Sequence, residues 1–229
     1  MNLTLNHIGI IIDGNRRWAR AKGWPIWRGH QAGYDNLKKI AKHAFSRGIK
    51  ILTIYAFSTE NWKRDKKEVA FLLKLMELML SKEIKEINEW GVKLKILGET
   101  NKFSPKLQRA IADGEKFTSH NKKGILNICL SYGGRQEIIN AFKKFIKKEK
   151  GIASQLTEKN FSAYLYNADQ PDPDLIIRTS GEMRLSNFLT WQSVYSELYF
   201  SKKYWPDFST KDFDRVLAEY NKRQRRFGA

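Results

Sequence analysis

The chain has a single cysteine, Cys129, so no disulfide can close within it, and nothing opposes a reducing compartment. No stretch reaches the roughly 18 apolar residues that a membrane-spanning helix needs. Met1 to His7 is too short and too polar for a secretory signal. Together these absences predict a soluble, cytoplasmic protein. Several familiar signatures are missing too. There is no GxxxxGK[ST], which excludes a P-loop, no GxGxxG dinucleotide fingerprint, no GxSxG nucleophile elbow and no DDxxD pair. His7, His30, His43 and His120 show no zinc-ligand spacing. Acidic residues are scarce as well: 24 Asp and Glu face 42 Lys and Arg, for a net charge of +18. Such a chain should meet polyanions, whether nucleic acid, an anionic membrane surface or phosphorylated small molecules. Charge alone does not choose among them.

What is present is a steady alternation of apolar runs and amphipathic stretches, without repeats or a linker rich in Gly, Ser or Pro. With 229 residues, 41% of them hydrophobic, the chain suits one domain over residues 1–229. Strands are expected at His7–Asp13, Ile49–Phe57, Val92–Leu97, Ile125–Ser131 and Leu175–Thr179. Helices are expected at Gln31–Arg47, stopped by Gly48, and at Glu68–Trp90, closed by Gly91. Others are Ser104 (cap) to Phe117, Gln136–Glu149, Thr157 (cap) to Tyr166 and Ser209–Arg226. This order predicts an α/β fold: a mostly parallel central sheet of about six strands flanked by helices. In such sheets ligands bind beyond the carboxyl ends of the strands.

The segments at those ends are chemically dense. Asp13-Gly14-Asn15-Arg16-Arg17-Trp18 joins a glycine turn, able to bring backbone N–H groups to an anion, to two arginines and a carboxylate. Asp13 can hold Mg²⁺ against a diphosphate, or simply pair with an arginine. Ser58-Thr59-Glu60-Asn61-Trp62-Lys63-Arg64 gathers hydroxyls, a carboxylate, an amide and two cations. Arg178 sits in an otherwise apolar strand, where an unpaired guanidinium is costly. It predicts either a phosphate shared with Arg184 and Ser186, or an internal carboxylate partner. Tyr132-Gly133-Gly134-Arg135 reads as a tight strand-to-helix turn.

These segments, with RGHQAG (Arg28–Gly33), YAFSTENWKR (Tyr55–Arg64), SYGGR and IRTSGEMRLSNF (Ile177–Phe188), resemble the cis-prenyltransferases, in particular the bacterial undecaprenyl diphosphate synthases. WQSVYSELYF, WPDF at Trp205–Phe208 and the terminal Arg226-Phe227-Gly228 extend the resemblance from about His7 to Gly228. It implies repeated condensation of isopentenyl diphosphate onto an allylic diphosphate, usually farnesyl diphosphate, with new double bonds cis. The product would be undecaprenyl diphosphate, the lipid carrier for cell-wall synthesis. It implies that Asp13, Gly14, Asn15 and Arg17, with Arg16, Trp18 and His30 nearby, hold the allylic diphosphate and Mg²⁺, with Asp13 catalytic. Arg178, Arg184 and Ser186 would hold isopentenyl diphosphate, with Glu197 near the metal. Catalytic Asn61, with Ser58, would sit near the proton that is lost. Thr59, Glu60, Trp62, Arg64 and Glu68 belong to the segment that follows. Arg226 and Gly228 would complete a neighbouring subunit's site in a homodimer. Two positions depart from the family's pattern. Arg16 replaces the usual glycine, and Ile26 replaces the usual arginine, for which Arg28 is the nearest substitute. The growing tail needs an apolar wall, for which Leu72, Leu73, Met76, Met79 and Leu80 are candidates, and its release suits a membrane surface.

Two other readings compete. Charge and seven tryptophans would suit a nucleic-acid binder. A catalytically inactive partner subunit of the same family would have lost Asp13 or Asn61, and both are here.

Overall fold

The computed structural model describes residues 5–149 and 156–223 of the chain. The apolar runs extend into β1 (His7–Ile11), β2 (Ile51–Ser58), β3 (Val92–Leu97), β4 (Gly124–Tyr132) and β5 (Leu175–Arg178). Strands covered on both faces are largely apolar, as β1, β2, β4 and β5 are, whereas the edge strand β3 (VKLKIL) alternates. A sixth strand, β6 (Glu197–Phe200), was not among the expected strands. It is an edge strand with half-exposed or exposed side chains, and its apolar run is only Leu198–Phe200. The sheet order is β3-β4-β2-β1-β5-β6 and every pairing is parallel.

The helices differ from expectation mainly at their ends. What reads as a glycine turn after β1 is the start of α1 (Asn15–Ala21). The helix expected at Gln31 begins five residues earlier, as α2 (Ile26–Ser46), with Pro25 at its N-cap. The helix expected over Glu68–Trp90 is α3 (Lys66–Leu78), capped by the Asp65 carboxylate on the Lys67 and Glu68 amides, then a π-helical turn at Met79–Glu83, then α4 (Ile84–Glu89). α5 (Pro105–Thr118) starts at its Ser104 cap as expected. α6 (Gly134–Lys148), a short α7 (Glu158–Ser162) and α8 (Thr210–Tyr220) complete the set. α8 stops at Tyr220 rather than running on to Arg226.

One face of the sheet presents Ile8, Ile10, Leu52, Ile54, Ile128 and Ile177 to α2, α3, α5 and α8 in the main core. The other presents Ile11, Tyr55, Cys129 and Ile176, which pack with Phe188 and Leu189. Burial pushes the Cys129 thiol up, in keeping with an inert core residue. β1 connects leftward to β2, whereas its other neighbour β5 leads rightward to β6. Their carboxyl ends therefore diverge at a topological switch point, where such sheets open a crevice.

Candidate active site

The crevice is built from the loops after β1, β2, β4 and β5. Asp13 follows β1, and its Oδ2 accepts hydrogen bonds from Arg178 Nη2 at 3.0 Å and Arg17 Nη2 at 3.2 Å. Arg178 is 4% exposed. Its Nη1 also donates to Ser186 Oγ at 2.7 Å and to the Arg184 carbonyl. The buried arginine thus has the internal carboxylate partner, and that partner belongs to the first loop. Arg17 reaches Glu182 at 2.6 Å, and Arg184 grips the same carboxylate. Hydrogen bonds from Arg17 and then Arg184 hold the Glu182 carboxyl below its usual range.

A second carboxylate ties the other side together. Glu68 accepts from His30 Nε2 and Arg64 Nη1, each at 3.0 Å, and Arg16 Nε approaches to 3.8 Å. Burial pushes the His30 imidazole down, opposed by Glu68. Ser58 N donates to Asn61 Oδ1 at 3.1 Å, which fixes the amide at the end of β2. Gly14 has φ of 107°, and a Cβ there would lie 2.9 Å from Ser180 Oγ and from the Tyr204 ring. Side-chain atoms buried without a partner concentrate here: Asn15 Oδ1, Arg16 Nε, His30 Nδ1, Arg178 Nε and Ser180 Oγ. Orphaned polar atoms are rare in native interiors, and a cluster of them marks a place where a ligand supplies the missing bonds.

Most of these groups line the mouth of a cavity of about 990 Å³; Glu68, Ser180 and Glu182 do not. Its outer wall is polar, with Asp13, Arg16, Arg17, Ser58, Asn61 and Arg178; inward it turns apolar, with Leu37 from α2 and Leu72, Leu75, Met76 and Met79 from α3. Of the expected residues, Gly14, Asn15, His30, Glu60, Arg64 and Ser186 also line it. Others do not. Trp18 is buried and donates to Asp207. Trp62 donates to Ser131 and packs on Phe57 and Phe103. Thr59 turns to Glu60. Arg184 acts through Arg178 and Glu182. Arg28 lies outside, its guanidinium 5.5 Å from the Trp24 and Trp27 ring centres, so it does not restore the charge that Ile26 lacks. Arg20 on α1 lines the cavity instead. Of the expected tail wall, Leu73 and Leu80 face the core.

Glu197 is also displaced. It pairs with Leu175, whereas Arg178 pairs with Phe200 and Ile11, so three residues, about 10 Å of strand, separate Glu197 from the Asp13 end of the sheet. It binds Arg223 at 2.8 Å. A metal shared by Asp13 and Glu197 within one chain has no geometric basis. Arg226 and Gly228 lie outside the described residues. Arg20, Arg135, Asn187, Thr190 and Ser193 line the cavity without having been singled out as binding residues. Arg135 closes the SYGGR turn and Asn187 follows Ser186, so sequence proximity could have found these two. Thr190 and Ser193 carry no local signal.

Magnesium fits Asp13 on one count. Among the described residues no cluster of three or more His, Cys, Asp or Glu can cage a metal. Mg²⁺ typically takes one or two carboxylates and completes its shell with phosphate oxygens and water. Both arginines bond Asp13 Oδ2, which leaves Oδ1 without a hydrogen bond among the described residues.

Comparison with known proteins shows the family. The model of the undecaprenyl diphosphate synthase family matches residues 11–228. An isoprenyl transferase of Thermotoga maritima is 48% identical over 97% of this chain and 96% of its own. A ditrans,polycis-undecaprenyl-diphosphate synthase of Buchnera aphidicola, named as (2E,6E)-farnesyl-diphosphate specific, is 46% identical over 98% and 91%. Lavandulyl diphosphate synthase from Lavandula x intermedia, solved with dimethylallyl diphosphate, superposes with a TM-score of 0.94 at 36% identity, covering all of both chains. A structure described as a probable undecaprenyl diphosphate synthase from Campylobacter jejuni gives 0.84 at 33%, again over all of both chains.

Proposed function

The chain belongs to the undecaprenyl diphosphate synthase family of prenyltransferases, and from that premise we propose that it extends farnesyl diphosphate with isopentenyl units to a long cis-polyprenyl diphosphate. The observation that carries this reading is the continuity of one cavity from a cation-rich mouth to an apolar interior. That is the shape of a ligand with a diphosphate head and a hydrocarbon tail. Each buried CH₂ contributes about 0.8 kcal/mol, so a growing tail holds itself in place.

Arg178 and Ser186, with Arg184 behind them, bind the isopentenyl diphosphate; Arg16, Arg17, Arg20 and His30 bind the allylic one. As the allylic C–O bond breaks, charge grows on the leaving diphosphate, and donors already fixed by Asp13, Glu68 and Glu182 meet it without reorganising. The allylic carbon bonds to isopentenyl diphosphate, and the proton freed beside Asn61 and Ser58 passes to an oxygen of the departing diphosphate. Asp13, through Oδ1, would hold Mg²⁺, which would supply charge neutralisation at the diphosphate. The inactive-partner reading loses ground because Asp13, Asn61 and Arg178 all line the cavity.

A homodimer accords with the apolar rim beside the edge strand β6, where Met183, Val194 and Tyr195 are 78%, 70% and 75% exposed. Transient contact with a membrane surface accords with the tail chemistry and net charge.

Purified protein, farnesyl diphosphate, labelled isopentenyl diphosphate and Mg²⁺, with and without EDTA, test the reading. A long product that EDTA abolishes is expected. Absence of product while both substrates bind would return the chain to the inactive-partner class.

A further inference from the structure

One wall of the cavity carries a polar cluster that the mechanism above does not use. Tyr34 on α2, buried to 9% exposure, lines the cavity and donates its phenol hydrogen to Glu83 across from it. Glu83 also binds Lys38 Nζ at 3.1 Å, and Lys38 reaches Glu86 at 3.0 Å. Glu83 ends the π-helical turn that begins at Met79, itself a cavity-lining residue. Such turns insert an extra residue into a helix and recur at functional sites. The cluster also lines a separate void of about 20 Å³, which shares Tyr34, Leu37 and Met79 with the cavity. Ala41, Ile87 and half-buried Trp90 carry it onward.

Tyr34 thus stands between the cavity and this second, small void, held there by Glu83. We propose that Tyr34 and Glu83, braced by Lys38, form the stop that sets product length. The inference rests on the prenyl-chain reading of the cavity. Its physical basis is the cost of passing the pair. A tail end that pushes the phenol aside breaks its hydrogen bond to Glu83, which keeps Lys38 as its partner. Burial, then Glu83, push the Tyr34 phenol well up, so it remains a donor throughout the working pH range.

Two conservative variants, Tyr34→Phe and Glu83→Gln, weaken the pair while keeping side-chain volume, and Tyr34→Ala opens the passage fully. Melting temperatures establish that each variant is folded. Product-length analysis from farnesyl diphosphate is expected to show longer chains in all three, by at least one isoprene unit in the conservative variants and by more in Tyr34→Ala. A second measurement needs no catalysis: affinity for linear alkyl monophosphates of increasing length. It should stop rising at a given length in the unaltered protein and continue to rise past that length in Tyr34→Ala. Folded variants with an unchanged product distribution, or an affinity plateau that does not move in Tyr34→Ala, would overturn the proposal. Loss of the activity reading itself is seen separately, as an unaltered protein that makes no product while the affinity series still reports on the stop.

Discussion

Gly29 and Gly33 lie one turn apart on α2, and α1 packs directly on them. A Cβ at Gly29 would lie 2.1 Å from the Asn15 carbonyl oxygen, and one at Gly33 2.4 Å from Asn15 Oδ1. The RGHQAG segment therefore owes its glycines to the close approach of α1, the helix that presents Arg16, Arg17 and Arg20. Gly29→Ala should cost about 1–3 kcal/mol through forced displacement of backbone. It should lower activity more than Gly33→Ala, whose obstacle is a side-chain tip. Melting temperature and turnover measured on the same preparations check both. Asp13 is the other residue through which several groups act. Asp13→Asn removes the anion that holds both Arg17 and Arg178. Activity should drop by about 10²–10³-fold, the scale of losing a preorganised charge-stabilising group. Stability should fall by about 1–3 kcal/mol, the scale of a charged hydrogen bond. An Asp13→Asn enzyme of near-normal turnover would remove Asp13 from the mechanism.

At the level of elements, a polar ladder fastens the segment before β5 to the underside of the sheet. His7 on β1 is fully buried. Its Nδ1 faces the Pro171 carbonyl at 2.7 Å and must donate, so Nε2 accepts from Thr53 Oγ1, also at 2.7 Å. Asn127 on β4 donates to the same Thr53 oxygen and exchanges bonds with Gln170. Burial lowers the His7 imidazole from 6.5 to about 4, only partly opposed by Pro171 and Asp174. The unfolded chain thus takes up a proton below pH 6.5 that the native state refuses until about pH 4. Stability from this group is intact above pH 6.5 and is lost as pH falls toward 4, by on the order of 3 kcal/mol. Denaturant titrations at pH 7 and 4.5 should show the loss, and His7→Gln should reduce it. The elements themselves were unevenly legible. β1, β2, β4 and β5 announce themselves as apolar runs, β3 by alternation, and Ser104-Pro105 marks α5, because burial and capping are local. β6 is an edge strand with a run of only three apolar residues, Leu198–Phe200, and its pairing with β5 reveals it. α1 was hidden because Asp-Gly-Asn reads as a turn, and with it went Arg20. The π turn leaves apolar spacing almost undisturbed. Site residues at strand ends were legible for the same topological reason, from Asp13 to Arg17 and at Asn61, Arg178 and Ser186. Trp18, Trp62 and Arg28 were misplaced because sequence shows a side chain's chemistry but not which way it points.

On the scale of the whole molecule, a net charge of +18 has to be reconciled with a site that draws on only some of the cations. Around the turn between α1 and α2, Trp24 and Trp27 are 40% and 50% exposed, and Trp27 packs on Phe71 of α3, the neighbour of cavity-lining Leu72. Lys22 lies over the Trp18 and Trp24 rings, Arg28 over those of Trp24 and Trp27, and Arg20 is exposed beside them. Indoles backed by cations are the composition of membrane–water interfaces. An anionic surface offers about 1 kcal/mol per adjacent cation, so Lys22 and Arg28 together are worth roughly 2 kcal/mol, or about thirtyfold in affinity. Co-sedimentation should therefore show binding to vesicles containing phosphatidylglycerol and little to pure phosphatidylcholine. Raising the salt to 1 M, where the screening length shrinks to about 3 Å, should release most of the protein. The double variant Trp24→Ser, Trp27→Ser should bind weakly even at low salt, while its turnover on short, water-soluble substrates stays normal. If it sediments with anionic vesicles as well as the unaltered protein does, the charge acts as a diffuse surface property and the turn between α1 and α2 is not the docking edge. If binding is lost, the turn between α1 and α2 is the docking edge, and through Trp27 and Phe71 it adjoins the helix whose Leu72 lines the cavity.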